Sequence, residues 1–163
     1  MTGPKSSNPV EIAYHDRGPV DSTQMAMGGS WSVYWYNGMI INSEIARGLD
    51  IFELEASPYI TQNEIDAANT VTFEYLNAQG QPKFEWPTTY ALAKAYVDQL
   101  DRNNGLSNAD IASLRSGIYS AENSRNTRVL TELAGNIEGK ASSSSQSEKV
   151  RALAQTLRDL ATM

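Results

Sequence analysis

The sequence predicts an α+β fold: an N-terminal antiparallel β-meander followed by a C-terminal bundle of about four helices. Three observations carry this. Aromatic and β-branched residues crowd Gly28 to Leu54 with an Asn-Gly pair between them, apolar residues recur at three- and four-residue spacing from Leu92 to Leu160, and helix-capping signals punctuate the second half. With 163 residues and no cysteine, the core must come from packing alone.

The β elements follow in order. Asn8 to Tyr14 alternates Val10, Ile12 and Tyr14 with small or charged residues and reads as a short edge strand, Pro9 marking its start. Trp31 to Tyr36 is the first strand of the meander. Asn37-Gly38 supplies the two positive φ angles of a type I′ turn, so Met39 to Ile45 returns antiparallel. Ala46-Arg47-Gly48 reverses the chain again, and Leu49 to Leu54 is the third strand. Strict alternation places Trp31, Val33 and Trp35 on one face and Tyr34 and Tyr36 on the other, so both faces need cover.

Helices begin after Ser57-Pro58. "TQNE", Thr61 to Glu64, has capping-box spacing and opens a short helix with Ile65, Ala67 and Ala68. Val71 to Leu76 reads as a strand or an extended connection. A helix is expected after Trp86-Pro87 with proline in its first turn, carrying Leu92, Ala95, Tyr96 and Leu100 to a stop at Asn104-Gly105. Ser107 to Asp110 caps the next, with Ile111, Leu114 and Ile118 on one face. A third carries Val129, Leu130, Leu133 and Ile137 and ends near Gly139. Ser145 with Glu148 is the expected cap of the last, which bears Val150, Leu153, Leu157 and Leu160. The division is thus residues 1–57 for the meander, 58–87 for a connecting segment with a short helix, and 88–163 for the bundle. Leu100, Ile111, Leu114, Leu130, Leu133 and Leu153 are expected in one core, with the helices covering one sheet face and Trp86 helping to join the two parts.

Charge and composition narrow the function. The net charge is −6, and the acidic excess lies in the first half: through Pro87 four Lys or Arg stand against eleven Asp or Glu. A nucleic-acid binder needs a basic stripe, and none is present. No run reaches the roughly 18 apolar residues of a membrane span, and the first residues lack the apolar centre of a signal peptide.

Candidate sites are few. His15-Asp16-Arg17 holds the only histidine; adjacent residues of an extended chain point apart, so a solvated turn is the better reading than proton transfer or a metal site. Ser30 and Ser32 sit in "GGSWS", which is not a G-x-S-x-G elbow. Glu53 and Glu55 mark one face of a strand end rather than a calcium or glycosidase pair. Glu44, Arg47 and Asp50 bracket the second turn as a salt-bridge network or a ligand site. Trp31, Tyr34 and Trp35 pack in a sheet or stack on a ligand. These six are the candidate ligand-binding residues. No catalytic constellation, metal-ligand set or cofactor motif is assembled, and no cofactor is expected.

"SNPVEIAYHDRGP" followed by "GGSWSVYWYNGMIINSEIARGLDIFEL" resembles the last repeat of secreted bacterial LVIVD-repeat proteins, a family expected to form β-propellers. Pro9-Val10-Glu11-Ile12 matches the segment leading into the closing strand of one blade, and Gly48-Leu49-Asp50-Ile51 matches a strand of the next. "QGQPKFEWPTTYALAKAYVDQL" and "VRALAQTLRDLA" resemble the helical tail that follows the repeats in some members. About one repeat is present, so the chain resembles a C-terminal part or a shortened relative. The resemblance implies a blade-like sheet, a secreted or cell-surface location, and a non-catalytic interaction module that binds a protein partner or itself through strand edges. The alternative is a carbohydrate-binding or hydrolytic domain with its site on the aromatic meander.

Overall fold

In the computed structural model, which describes residues 11–80 and 82–163, three antiparallel strands precede five helices. The strands are β1 (Ser30–Tyr36), β2 (Met39–Glu44) and β3 (Gly48–Phe52), paired in the order β1-β2-β3. Asn37 (φ 49°) and Gly38 (φ 87°) both take the left-handed region that the tight turn demands. A Cβ on Gly38 would lie 2.9 Å from Oδ1 of Asn69, whose side-chain end would have to shift.

The register places Val33, Asn42 and Asp50 side by side on one face, with Trp35, Ile40 and Phe52 as the next row. The opposite face carries Tyr34, Ile41 and Ile51, with Ser43 and Leu49 beyond them. A bulge between Ser30 and Ser32 interrupts the alternation, because Ser30 pairs with Glu44 and Ser32 with Ser43. Trp31 is therefore the extra residue of the bulge and is not in line with Val33 and Trp35, as strict alternation would have it.

The helices are α1 (Gln62–Asn69), α2 (Tyr90–Arg102), α3 (Asn108–Ser124), α4 (Arg128–Glu138) and α5 (Ser147–Thr162). The capping box of α1 forms as expected: Thr61 accepts from the Glu64 amide while the Glu64 carboxylate accepts from the Thr61 amide. Two helix starts differ from expectation. Thr89 caps α2 by accepting from the Leu92 amide at 3.1 Å, which moves the first turn three residues past Pro87. Ser145 does not cap α5. Instead Ser144 accepts from the Gln146 amide and donates to the Gly105 carbonyl at 2.6 Å, tying the loop to the end of α2.

Helices α2 to α5 close a ring in which α2 touches α3 and α5, and α4 touches the same two; α1 packs on α2. This is an antiparallel four-helix bundle with short connections. Its core holds Leu100, Ile111, Leu114, Leu130, Leu133 and Leu153 together with Ile118, Ile137, Val150 and Leu157. At Gly117 the buried Leu133 side chain of α4 lies so close to α3 that a Cβ would meet its Cδ1 at 2.5 Å.

The expected helical cover of the sheet is not formed. From residue 11 to 64 the only buried residues are Asn42 and Glu44, both polar, while Val33, Tyr34, Leu49 and Ile51 stay exposed. Four helices each with one stripe satisfy one another, which leaves no apolar surface to offer the strands. Trp86 faces α1, α2 and the start of α5 rather than the strands. The sheet is tied instead through Phe73: its amide donates to Asn37 Oδ1 (2.8 Å), and its carbonyl accepts from Asn37 Nδ2 (3.0 Å) and the Tyr36 hydroxyl (3.1 Å). Val71 to Leu76 is thus an extended connection and not a strand. Glu11 to Tyr14 forms no strand either, and the rest of the expected edge strand, residues 8–10, lies outside the described residues.

Candidate functional site

The second turn of the meander positions a cluster of polar side chains. Chain reversal over Ile45 to Arg47 leaves amides pointing inward, and Glu44, the last residue of β2, collects them: it accepts from Gly29 N (2.6 Å), Ala46 N (2.9 Å) and Arg47 N. The Gly29 amide is foremost in holding its carboxyl below the usual range; burial opposes this, and the Arg47 and Ala46 amides and the Arg47 charge support it. Glu44 is thus a clasp that joins the turn to the chain entering β1.

Arg47 and Asp50 complete the arrangement by holding residues 15–29 over the same face. The Arg47 guanidinium donates to the carbonyls of Pro19 (2.7 Å) and Gly18 (3.3 Å). Asp50 accepts from Arg17 at 2.7 Å and from Asn42 Nδ2 at 3.1 Å, and Asn42 in turn accepts from Ser30 Oγ. The loop closes on itself where Val20 packs on Gly28, a place with no room for a Cβ. His15 stacks obliquely on Phe52 with ring centroids 4.8 Å apart, and Asp16 accepts from the Gly18 amide. His15 and Asp16 therefore serve different partners.

The structure divides the six candidate residues. Glu44, Arg47 and Asp50 line one cavity of about 460 Å³ with the 15–29 loop. Trp31, Tyr34 and Trp35 stand outside it: Trp31 projects from the bulge with 75% exposure, Tyr34 lies on the opposite face, and Trp35 is half-buried beside Ile40. Arg17, Asn42 and Ser30 join the polar cluster although sequence reasoning does not single them out as ligand-site residues. Asn42 has a legible signal, an amide inside an apolar strand two residues before Glu44, whereas Arg17 meets Asp50 only through tertiary folding.

Chemically the cluster is closed. The buried carboxylate has three amide donors and Asp50 has two side-chain donors, so what the arrangement does is hold a loop on a sheet. Among the described residues no three His, Asp or Glu side chains gather in a metal-binding group. No described helix is long and apolar enough to cross a membrane.

A second concavity, about 740 Å³, lies between α1, α2 and the start of α5 and is floored by Trp86, Leu92 and Tyr96. Burial pushes the Tyr96 hydroxyl up and the Lys149 ammonium down, with the nearby Arg102 adding to the latter. Glu64 closes one side; burial would raise it, but the Arg102 fork (2.7 and 2.9 Å) and the Thr61 amide outweigh burial and hold it below its ordinary value.

Comparison with known proteins adds no relative to these observations: no family model, no curated protein and no solved structure matches the chain.

Proposed function

We propose that the chain is a non-catalytic interaction module of a secreted or cell-surface protein, in which the sheet is covered by a protein partner while the helical bundle stands on its own core. One observation carries the reading: among the described residues no apolar side chain of the sheet is buried, although the strands are rich in Trp, Tyr, Ile and Val. Soluble proteins seldom leave such a surface bare without a use for it. The resemblance of Trp31 to Leu54 to a propeller repeat supports the same reading, since a blade is covered by neighbouring sheets.

A photo-reactive residue at Ile51 tests this against one at Tyr119, which is exposed on α3. In the producing cell, residue 51 is expected to capture protein and residue 119 to capture little; equal capture at both positions sinks the proposal. The second reading, carbohydrate binding, draws on the exposed indole of Trp31. It predicts that oligosaccharides change tryptophan fluorescence in the natural chain and not in Trp31→Ala, and the interaction reading predicts no response in either.

A further inference from the structure

On β3, part of the bare apolar surface coincides with an open backbone edge of the sheet. β1 has the devices that discourage pairing: a bulge at Trp31, a terminal Tyr36 bonded to Phe73 and Glu74, and residues 74–79 flanking Tyr34 and Tyr36. β3 has none of them. Its register with β2 is unbroken, and among the described residues the backbone of Gly48 to Phe52 makes no hydrogen bond other than those to β2. Leu49 and Ile51 stand exposed on one face of it. Among the described residues the preceding chain does not fill the edge: His15 at Phe52 and Arg17 at Asp50 set residues 15–17 across the opposite face, and Glu11 to Tyr14 form no strand.

We propose that β3 pairs antiparallel with β3 of a second copy about a two-fold axis at Ile51, making one continuous sheet of three strands from each copy. The inference rests on the reading of the sheet as an interaction surface and names its occupant. The strand is self-complementary in this register. Ile51 meets Ile51 of the second copy and Leu49 meets the aliphatic stem of Glu53, all on the bare face; Asp50 meets Phe52 on the other. Centring on Asp50 instead would set two carboxylates opposite each other. In the chosen register Asp50 enters the contact already held by Arg17 at 2.7 Å, with its side chain 13% exposed, and the exposed Glu53 keeps its carboxylate in solvent at the end of the contact.

The absence of cysteine makes the test direct. Ile51→Cys and Val33→Cys both place a thiol at an exposed sheet position, one at the axis and one on β1. Under mild oxidation Ile51→Cys is expected to form a covalent dimer at least about tenfold faster than Val33→Cys at equal concentration, and Ile51→Lys to weaken association in sedimentation by about tenfold or more. Circular dichroism of the bundle reports that each variant is folded. Equal oxidation rates, a dimer indifferent to Ile51→Lys, or a monomer up to about 1 mM overturns the proposal. A monomer in which residue 51 still captures a different protein sinks the self-pairing alone and leaves the interaction reading in place.

Discussion

The bundle and the sheet put the same kinds of side chain to opposite fates. Leu100 and Val97 in α2 are 0% and 1% exposed, whereas Leu49 in β3 and Val33 in β1 are 59% and 55% exposed. The difference is one of layers. A helix has one apolar stripe, and four of them arranged in a ring bury all four stripes. A three-stranded sheet has two faces and needs a layer on each. Among the described residues one face receives only a polar-pinned loop, and the other only the Glu74 to Gln79 segment beneath Tyr34 and Tyr36. Hydrophobic sequence is thus no guarantee of a hydrophobic core; the count of available partners decides.

Identical substitutions in the two regions give the largest test of this contrast. Leu100→Ala is expected to destabilise the bundle by about 3 kcal/mol through lost transfer energy and a cavity. Leu49→Ala is expected to change it by less than about 0.5 kcal/mol, as for exposed positions generally. Denaturant melts followed by helical circular dichroism measure both, and comparable losses would break the comparison. Next in size is Gly117→Val, which forces α3 from Leu133 and is expected to cost about 2 kcal/mol by overpacking.

Smaller effects sharpen the boundary between the regions. Glu64→Ala removes the carboxylate half of the α1 capping box and the Arg102 fork together, and after allowance for the partly solvated Arg102 the expected loss is about 1 kcal/mol. Because the folded Glu64 carboxyl lies below its ordinary value of 4.5, its contribution is fully present above that pH and disappears as pH falls through the folded value. The natural chain should therefore lose more stability on acidification than Glu64→Ala. Smallest of all, Glu44→Gln should leave the bundle melt unchanged while speeding hydrogen exchange at the Gly29, Ala46 and Arg47 amides. In the natural chain the same amides should lose protection only as acid protonates Glu44, whose folded carboxyl is also held low.

Legibility in the sequence tracks the range of the interactions. Asn37-Gly38 and the Thr61–Glu64 box are decided within four residues, and both form as expected. The stripes that fill the bundle are periodic over a single helix, and all six expected core residues pack together. The starts of α2 and α5 are less legible because several Ser and Thr residues compete to cap. Thr89 prevails by its reach to the Leu92 amide, whereas α5 follows Gln146 with no side-chain cap, Ser144 being engaged with the Gly105 carbonyl across the loop. Trp31 departs from its expected face because a bulge shifts alternation without a mark in the residue pattern. Of the polar cluster, Glu44 serves a turn three residues away and is within reach of local reasoning, but the pairing of Arg17 with Asp50 joins residues separated by a loop and a hairpin.

The Glu64–Arg102 fork, together with Asn63 donating to Asp98, has a mechanical meaning. It fastens α1 to α2 and so short-circuits the roughly 20 residues of chain from Thr70 to Thr89, which extend to on the order of 70 Å when pulled straight. While the fastening holds, tension applied at the sheet reaches the bundle through a rigid joint; once it slips, the sheet travels on a long leash before the bundle feels any further load. A small alanine-rich contact of Ala67 with Leu92 and Ala95 backs the ionic part, and the joint is expected to yield before the larger core of the bundle. In a single-molecule pulling record this appears as an early, low-force lengthening of tens of ångströms ahead of bundle opening, at lower force in Glu64→Ala. A partner gripping the sheet would thereby be held by a shock absorber and not by a strut.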